Sequence, residues 1–170
     1  NLAGDYASAN HHEIHNKIST KLQAQPILRI ENHHNFAWKE KLSDGREVLV
    51  HRKGATPAGE GVLGIIPGWM ASPGFLDRGK GNSAAIDSAS HGAGRLMSRN
   101  RAFKEISKDA VHDLLKTHGI TLLGSGLDEA PMVYKDIHAV MKPQGDLVDV
   151  LGSFMPRIVK MADPRERPED

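Results

Sequence analysis

From Trp69 to Asn100 the chain has little hydrophobic period and is dominated by Gly, Ser and Ala. No other feature constrains the fold as strongly. Inside a compact chain such a stretch is either disordered or a functional loop system held by the elements around it. The chain has no cysteine, so no disulfide staples those loops, and thiolate metal sites and a cysteine nucleophile are excluded within it. Its 170 residues suffice for one compact unit.

The flanks are more regular. Leu2, Tyr6, Ile14, Ile18 and Leu22 recur at helical spacing and predict a helix over 2–22, ended by Pro26. A short β-rich run follows over 26–31. Strand-like runs at 36–42 and 47–52 flank Ser43-Asp44-Gly45, a hairpin signal. Residues 54–61 read as loop and 62–66 as a buried strand stopped by Pro67-Gly68. Beyond the small-residue stretch, 101–118 reads as one amphipathic helix, 120–123 as a strand and 135–141 as a short helix. The run 146–154 reads as another helix and 157–161 as a last strand. The mixture predicts an α+β fold, mixed sheets with flanking helices. No apolar run reaches the roughly 20 residues of a membrane span, so a cytoplasmic protein is expected.

Several clusters bear chemistry. In His33-His34-Asn35, adjacent histidines point to opposite faces of an extended chain, so only one suits a given ion. Ser90-His91-Gly92-Ala93-Gly94-Arg95 presents an imidazole beside small residues whose amides can face an anion. Arg95 and Arg99 can balance phosphate charge there, and a neutral imidazole is a competent nucleophile towards phosphorus. A tight turn capping a helix is the alternative for that run. Residues 74–81 match most of a phosphate-binding P-loop but end in Gly81, which has no hydroxyl for Mg²⁺. His12-Glu13-Ile14-His15 misses the zinc-protease spacing by one residue, and His11 and His15, four apart, read as an exposed polar face. Net charge is +1, yet residues 51–104 hold eight Lys/Arg against three Asp/Glu. That basic region is the expected place for a phosphate-rich ligand.

In this order the pieces resemble the RtcB family of RNA-splicing ligases. The matching runs are His33-His34-Asn35, His51-Arg52-Lys53-Gly54-Ala55-Thr56 and Ile66-Pro67-Gly68-x-Met70. After them come Ser90 through Arg95 with Met97-Ser98-Arg99, and Glu129-Ala130-Pro131-x-x-Tyr134-Lys135-Asp136. The resemblance implies the C-terminal part of an RtcB-like fold over residues 1–162, with 163–170 a charged, disordered tail. It implies an RNA ligase using GTP and Mn²⁺, in tRNA splicing or RNA repair. Such an enzyme joins RNA 3′-phosphate or 2′,3′-cyclic phosphate ends to 5′-hydroxyl ends, with an activating helper protein as a further partner.

By the same resemblance His91 takes the covalent guanylyl group and His34 binds metal beside Asn35. Pro67, Gly68, Trp69 and Met70 line the guanylate pocket, Gly92, Ala93 and Gly94 surround the nucleotide, and Lys160 contacts guanine. The chain departs from the family pattern at Trp69, usually serine, at Gly74, near another usual serine, and at Met161, usually glycine. The family's earlier Asp-x-x-Cys, Asn-His-Phe-x-Glu and His-x-Gly-x-Arg motifs, which carry most metal ligands, do not occur in it. A catalytically incomplete module that binds RNA or nucleotide is the competing expectation.

Overall fold

The computed structural model describes residues 2–42 and 44–161; the expected tail at 163–170 lies outside them. Helix α1 (Leu2–Leu22) precedes a hairpin of β1 (Asn35–Lys41) and β2 (Glu47–Lys53). Next come β3 (Ala55–Pro57), β4 (Leu63–Pro67), β5 (Gly74–Gly79) and β6 (Ser88–Ser90). Helices α2 (Arg99–Glu105) and α3 (Lys108–Thr117), strand β7 (Thr121–Gly124), helix α4 (Ile137–Met141) and strands β8 (Val148–Phe154) and β9 (Ile158–Lys160) follow. Among the described residues the strands form four small sheets: β1-β2, β3-β6, β4-β5-β8 and a parallel β7-β9 pair. The fold is α+β. No helix among the described residues is long and apolar enough to cross a membrane.

The hairpin forms as its turn chemistry dictates. Gly45 takes φ +87°, which costs a glycine nothing, and Asp44 Oδ1 accepts the Arg46 amide at 3.0 Å. Its strands alternate cleanly, with Phe36, Trp38, Val50 and Arg52 turned inward and their neighbours outward. Two apolar clusters carry the remaining elements. One gathers Val111 and Leu115 of α3 with Met70, Ile120 and Val133; the other gathers Ile66, Phe75, Ile137 and Val148. Tyr134 packs against both.

Five expectations fail for physical reasons. The small-residue stretch is neither disordered nor all loop, because β5 and β6 lie inside it. The near P-loop, already discounted because Gly81 has no hydroxyl, is strand β5, central in its sheet, with no helix N-terminus to meet a phosphate. The run 146–154 holds strand β8, because it pairs along β5 from Val148 to Phe154 and Gly152 disfavours helix. The run 101–118 is two helices, because Ser107 leaves helical geometry and accepts the Ala110 amide as the N-cap of α3. Residues 26–31 are no strand, while the expected loop 54–61 contains β3.

The apolar stripe of α1 also faces the wrong way. Leu2, Tyr6 and Leu22 are 86%, 75% and 70% exposed. The half-buried face is instead Gly4, Ala7, Ser8, His11, His15 and Ser19. Gly4 sets it: a Cβ there would come within 2.8 Å of the Phe36 ring.

Asp77 of β5 is 4% exposed, and Oδ2 has no hydrogen-bond partner. Burial pushes its pKa up to about 6. The folded state therefore holds this proton more tightly than the unfolded chain, so stability falls as pH rises from about 4 to 6 and stays reduced above. Asp77→Asn is expected to stabilise the fold by about 2 kcal/mol at pH 7 and by nothing below pH 4. Urea unfolding at the two pH values checks it; equal effects at both would contradict the buried charge.

Candidate functional site

His91 follows β6, whose Ser90 pairs with Ala55 of β3. That pairing brings Gly54 beside the imidazole. The Gly54 carbonyl accepts from His91 Nδ1 at 2.9 Å, and its own N–H donates to the His34 carbonyl at 3.0 Å. Gly54 holds φ +74°, so a glycine at this corner lets one residue brace both histidines. A carbonyl only accepts, so Nδ1 must carry the proton. In the neutral ring the lone pair then sits on Nε2, pointing away from the brace.

The His34 and His91 rings are 5.0 Å apart. Burial, followed by His91, lowers the His34 pKa, so the ring is neutral at pH 7. Both histidines line a cavity of about 280 Å³ with His11, His15, Glu31 and Pro67. Pro67 also lines a second cavity of about 300 Å³, with Gly68, Trp69, Met70 and Lys160. The structure thus brings together seven of the sequence-singled residues, in two hollows sharing Pro67.

The others stand elsewhere. Gly92 packs on the Pro67 backbone, where a Cβ would lie 3.1 Å from the carbonyl oxygen. Ala93 is a core residue at 5% exposure, and Gly94 takes φ +73° with its carbonyl bound by the Lys135 amide. The side chain of Asn35 turns to His51, with Oδ1 at 3.4 Å from Nε2. Trp69 stacks on Tyr134, with centroids 3.8 Å apart, and its indole donates to the Glu129 carbonyl. The Tyr134 hydroxyl donates to Glu129 Oε2 and accepts from Arg95; burial holds its pKa well above the usual phenol value.

Two sequence readings change here. Arg95 and Arg99 do not stand ready for phosphate: they bind Asp128 and Glu129, with Arg99 reaching both carboxylates at 2.9 and 3.0 Å. His11 and His15 are not an exposed face but half-buried in the cavity wall. His11 stacks on His33 and lies 3.4 Å from Glu31, whose carboxyl is held low chiefly by the Ser8 hydroxyl. The signal for them was present: small or polar residues at 4, 8, 11 and 15 share one helix face. Among the described residues no group of three or more His, Asp or Glu side chains is placed to hold a metal ion.

A family model described as tRNA-splicing ligase RtcB matches residues 1–161. The chain is 41% identical over 160 residues to the RNA-splicing ligase RtcB of Escherichia coli (strain K12), covering 86% of this chain and 38% of that protein. It is 32% identical over 164 residues to the RNA-splicing ligase RtcB of Mycobacterium tuberculosis (strain H37Rv), covering 82% and 38%. To the tRNA-splicing ligase RtcB of Methanococcus maripaludis it is 37% identical over 131 residues, covering 63% and 27%. The chain thus spans well under half the length of these relatives, but the match runs through every element from α1 to β9: it belongs to the RtcB family.

Proposed function

We propose that this chain is the nucleophile-bearing portion of an RNA ligase that uses GTP and Mn²⁺. It joins RNA 3′-phosphate or 2′,3′-cyclic phosphate ends to 5′-hydroxyl ends. Within that reading residues 1–162 form the C-terminal portion of the ligase domain. The observation that carries it is the 2.9 Å contact between His91 Nδ1 and the Gly54 carbonyl, which frees Nε2 beside His34.

The chemistry follows from that tautomer. Nε2 attacks the α-phosphorus of GTP; an N–P bond forms and the bond to pyrophosphate breaks. The ring becomes cationic, and the Gly54 carbonyl stabilises the retained Nδ1 proton. The cationic ring then leaves readily when the RNA 3′-phosphate takes GMP, and the 5′-hydroxyl displaces GMP in turn. A cyclic end must first add water to open. The cavity of Pro67 through Met70 with Lys160 is of a size to hold the guanylate, with Lys160 offering a cation to it. A divalent ion would offset the charge that develops at phosphorus. His34 would be this chain's one neutral donor to it, where such an ion takes several.

Incubating the intact protein with GTP and Mn²⁺ and mapping the product by mass spectrometry tests the reading. A GMP adduct on the peptide that holds His91 is expected. An adduct on another residue overturns the assignment, and RNA binding without any adduct is the behaviour of an incomplete module.

A further inference from the structure

We propose that the outward face of the β1-β2 hairpin is a track for a single RNA strand whose end lies at His91. The inference rests on the ligase reading of the site, but its evidence is separate. The antiparallel register sets Asn35 opposite Lys53, Ala37 opposite His51, Lys39 opposite Leu49 and Lys41 opposite Glu47. All eight side chains are exposed, while the alternate residues face inward. Lys39, Lys41 and Lys53 meet one acid, Glu47, at the far end.

The charge on this face is uncommitted. Several cations elsewhere are neutralised locally: Arg52 by Glu40, Lys80 by Asp149, Arg95 and Arg99 by Asp128 and Glu129, Arg101 by Glu105. Much of the positive surplus that the sequence places at 51–104 is therefore spent inside the protein. Lys39, Lys41 and Lys53 have no ion-pair partner among the described residues. Unpaired lysines on a flat exposed face can release counterions from a polyanion, which is the driving force for sequence-independent phosphate binding. Leu49, 70% exposed between them, gives a base something apolar to rest on.

The track also leads to the chemistry. β2 ends at Lys53, and the next residue, Gly54, holds His91; β1 begins at Asn35, directly after His34. From Lys53 to Glu47 the strand runs roughly 20 Å at about 3.3 Å per residue. At about 3.4 Å per stacked nucleotide that is room for roughly six. A charged strip of that length, ending at a nucleophile for phosphorus, fits a polynucleotide better than a protein partner, which would favour a larger apolar patch.

The test compares intact wild-type protein with Lys39→Gln/Lys41→Gln and with Lys39→Glu/Lys41→Glu, using labelled 12-nucleotide and 3-nucleotide RNAs bearing 3′-phosphates. Both side chains point to solvent, so urea midpoints should match and show that the fold is kept. Neutralising two contacts is expected to weaken 12-mer binding about tenfold and to lower the slope of log K against log salt by about 1.4, more for the glutamates. The 3-mer, held at the His91 end, should lose little. An unchanged 12-mer slope, or equal losses for both RNAs, overturns the track. If wild type forms no GMP adduct yet discriminates the RNAs as described, the ligase reading fails and the track stands.

Discussion

Replacing His91 with alanine is expected to abolish formation of the GMP adduct, by at least about 10⁴-fold and to the floor of the assay, with little loss of stability. The two halves of that expectation come from the same geometry. The ring makes one hydrogen bond, from Nδ1 to the Gly54 carbonyl, and otherwise faces the cavity. Losing it leaves a carbonyl that water can reach, which costs less than about 1 kcal/mol. The neighbouring imidazoles are placed for other roles: His34, its ring 5.0 Å away, is the proposed metal donor, and His11 is engaged with His33 and Glu31. Adduct yield by mass spectrometry and unfolding in urea, run on the same preparation, check both halves. A retained adduct removes His91 from the chemistry; a lost adduct with a collapsed urea midpoint would mean that His91 serves the fold instead.

Sequence patterns anticipated the hairpin and α1, because each rests on short-range rules, and the family resemblance pointed to Pro67 through Met70 and Lys160, which line one cavity. Asp44-Gly45 forces a turn between two alternating strands wherever it occurs. Pro67 through Met70 are adjacent in sequence and so are adjacent in space. What stayed illegible depended on partners far along the chain. Strand β5 consists of small and mixed residues and is defined by β4 on one side and β8 on the other. The inward face of α1 is chosen by Phe36, against which only Gly4 fits, so its best hydrophobic stripe points outward. The acids that consume Arg95 and Arg99 lie some thirty residues downstream, at Asp128 and Glu129. A local charge count could not subtract them.

Arg52→Met is expected to destabilise the fold by about 3 kcal/mol, and adding Glu40→Leu to recover part of that loss. Arg52 is 3% exposed on the inner face of β2. Its guanidinium grips both oxygens of Glu40, at 2.5 and 2.9 Å, and stacks over Trp38. It also donates to the Ser88 hydroxyl at 2.8 Å and to the Ile86 carbonyl at 2.9 Å. Methionine fills the volume but leaves the Glu40 carboxylate without its partner, while the Ile86 carbonyl keeps only the Ser88 hydroxyl. The lower end of the usual range for breaking a buried pair applies, because Glu40 keeps 28% of its side-chain surface. Removing the stranded charge in the double variant should therefore help. Urea unfolding of both single variants and the double variant measures the coupling; a double variant no better than Arg52→Met alone would mean the ion pair contributes little. The position of the clamp gives the result a functional edge. Ile86 sits at φ +51° in the turn that leads into β6, and His91 follows that strand directly. Arg52 thus ties the hairpin to the segment that presents His91, the proposed nucleophile, one residue before the proposed RNA-binding Lys53 and two before the Gly54 carbonyl. In His51-Arg52-Lys53-Gly54 the strand alternation separates these tasks: Arg52 points in to hold the frame, Lys53 points out, and Gly54 turns its carbonyl to His91. Loosening Arg52 should consequently slow adduct formation at urea concentrations well below the unfolding midpoint, an effect that a merely global loss of stability would not produce.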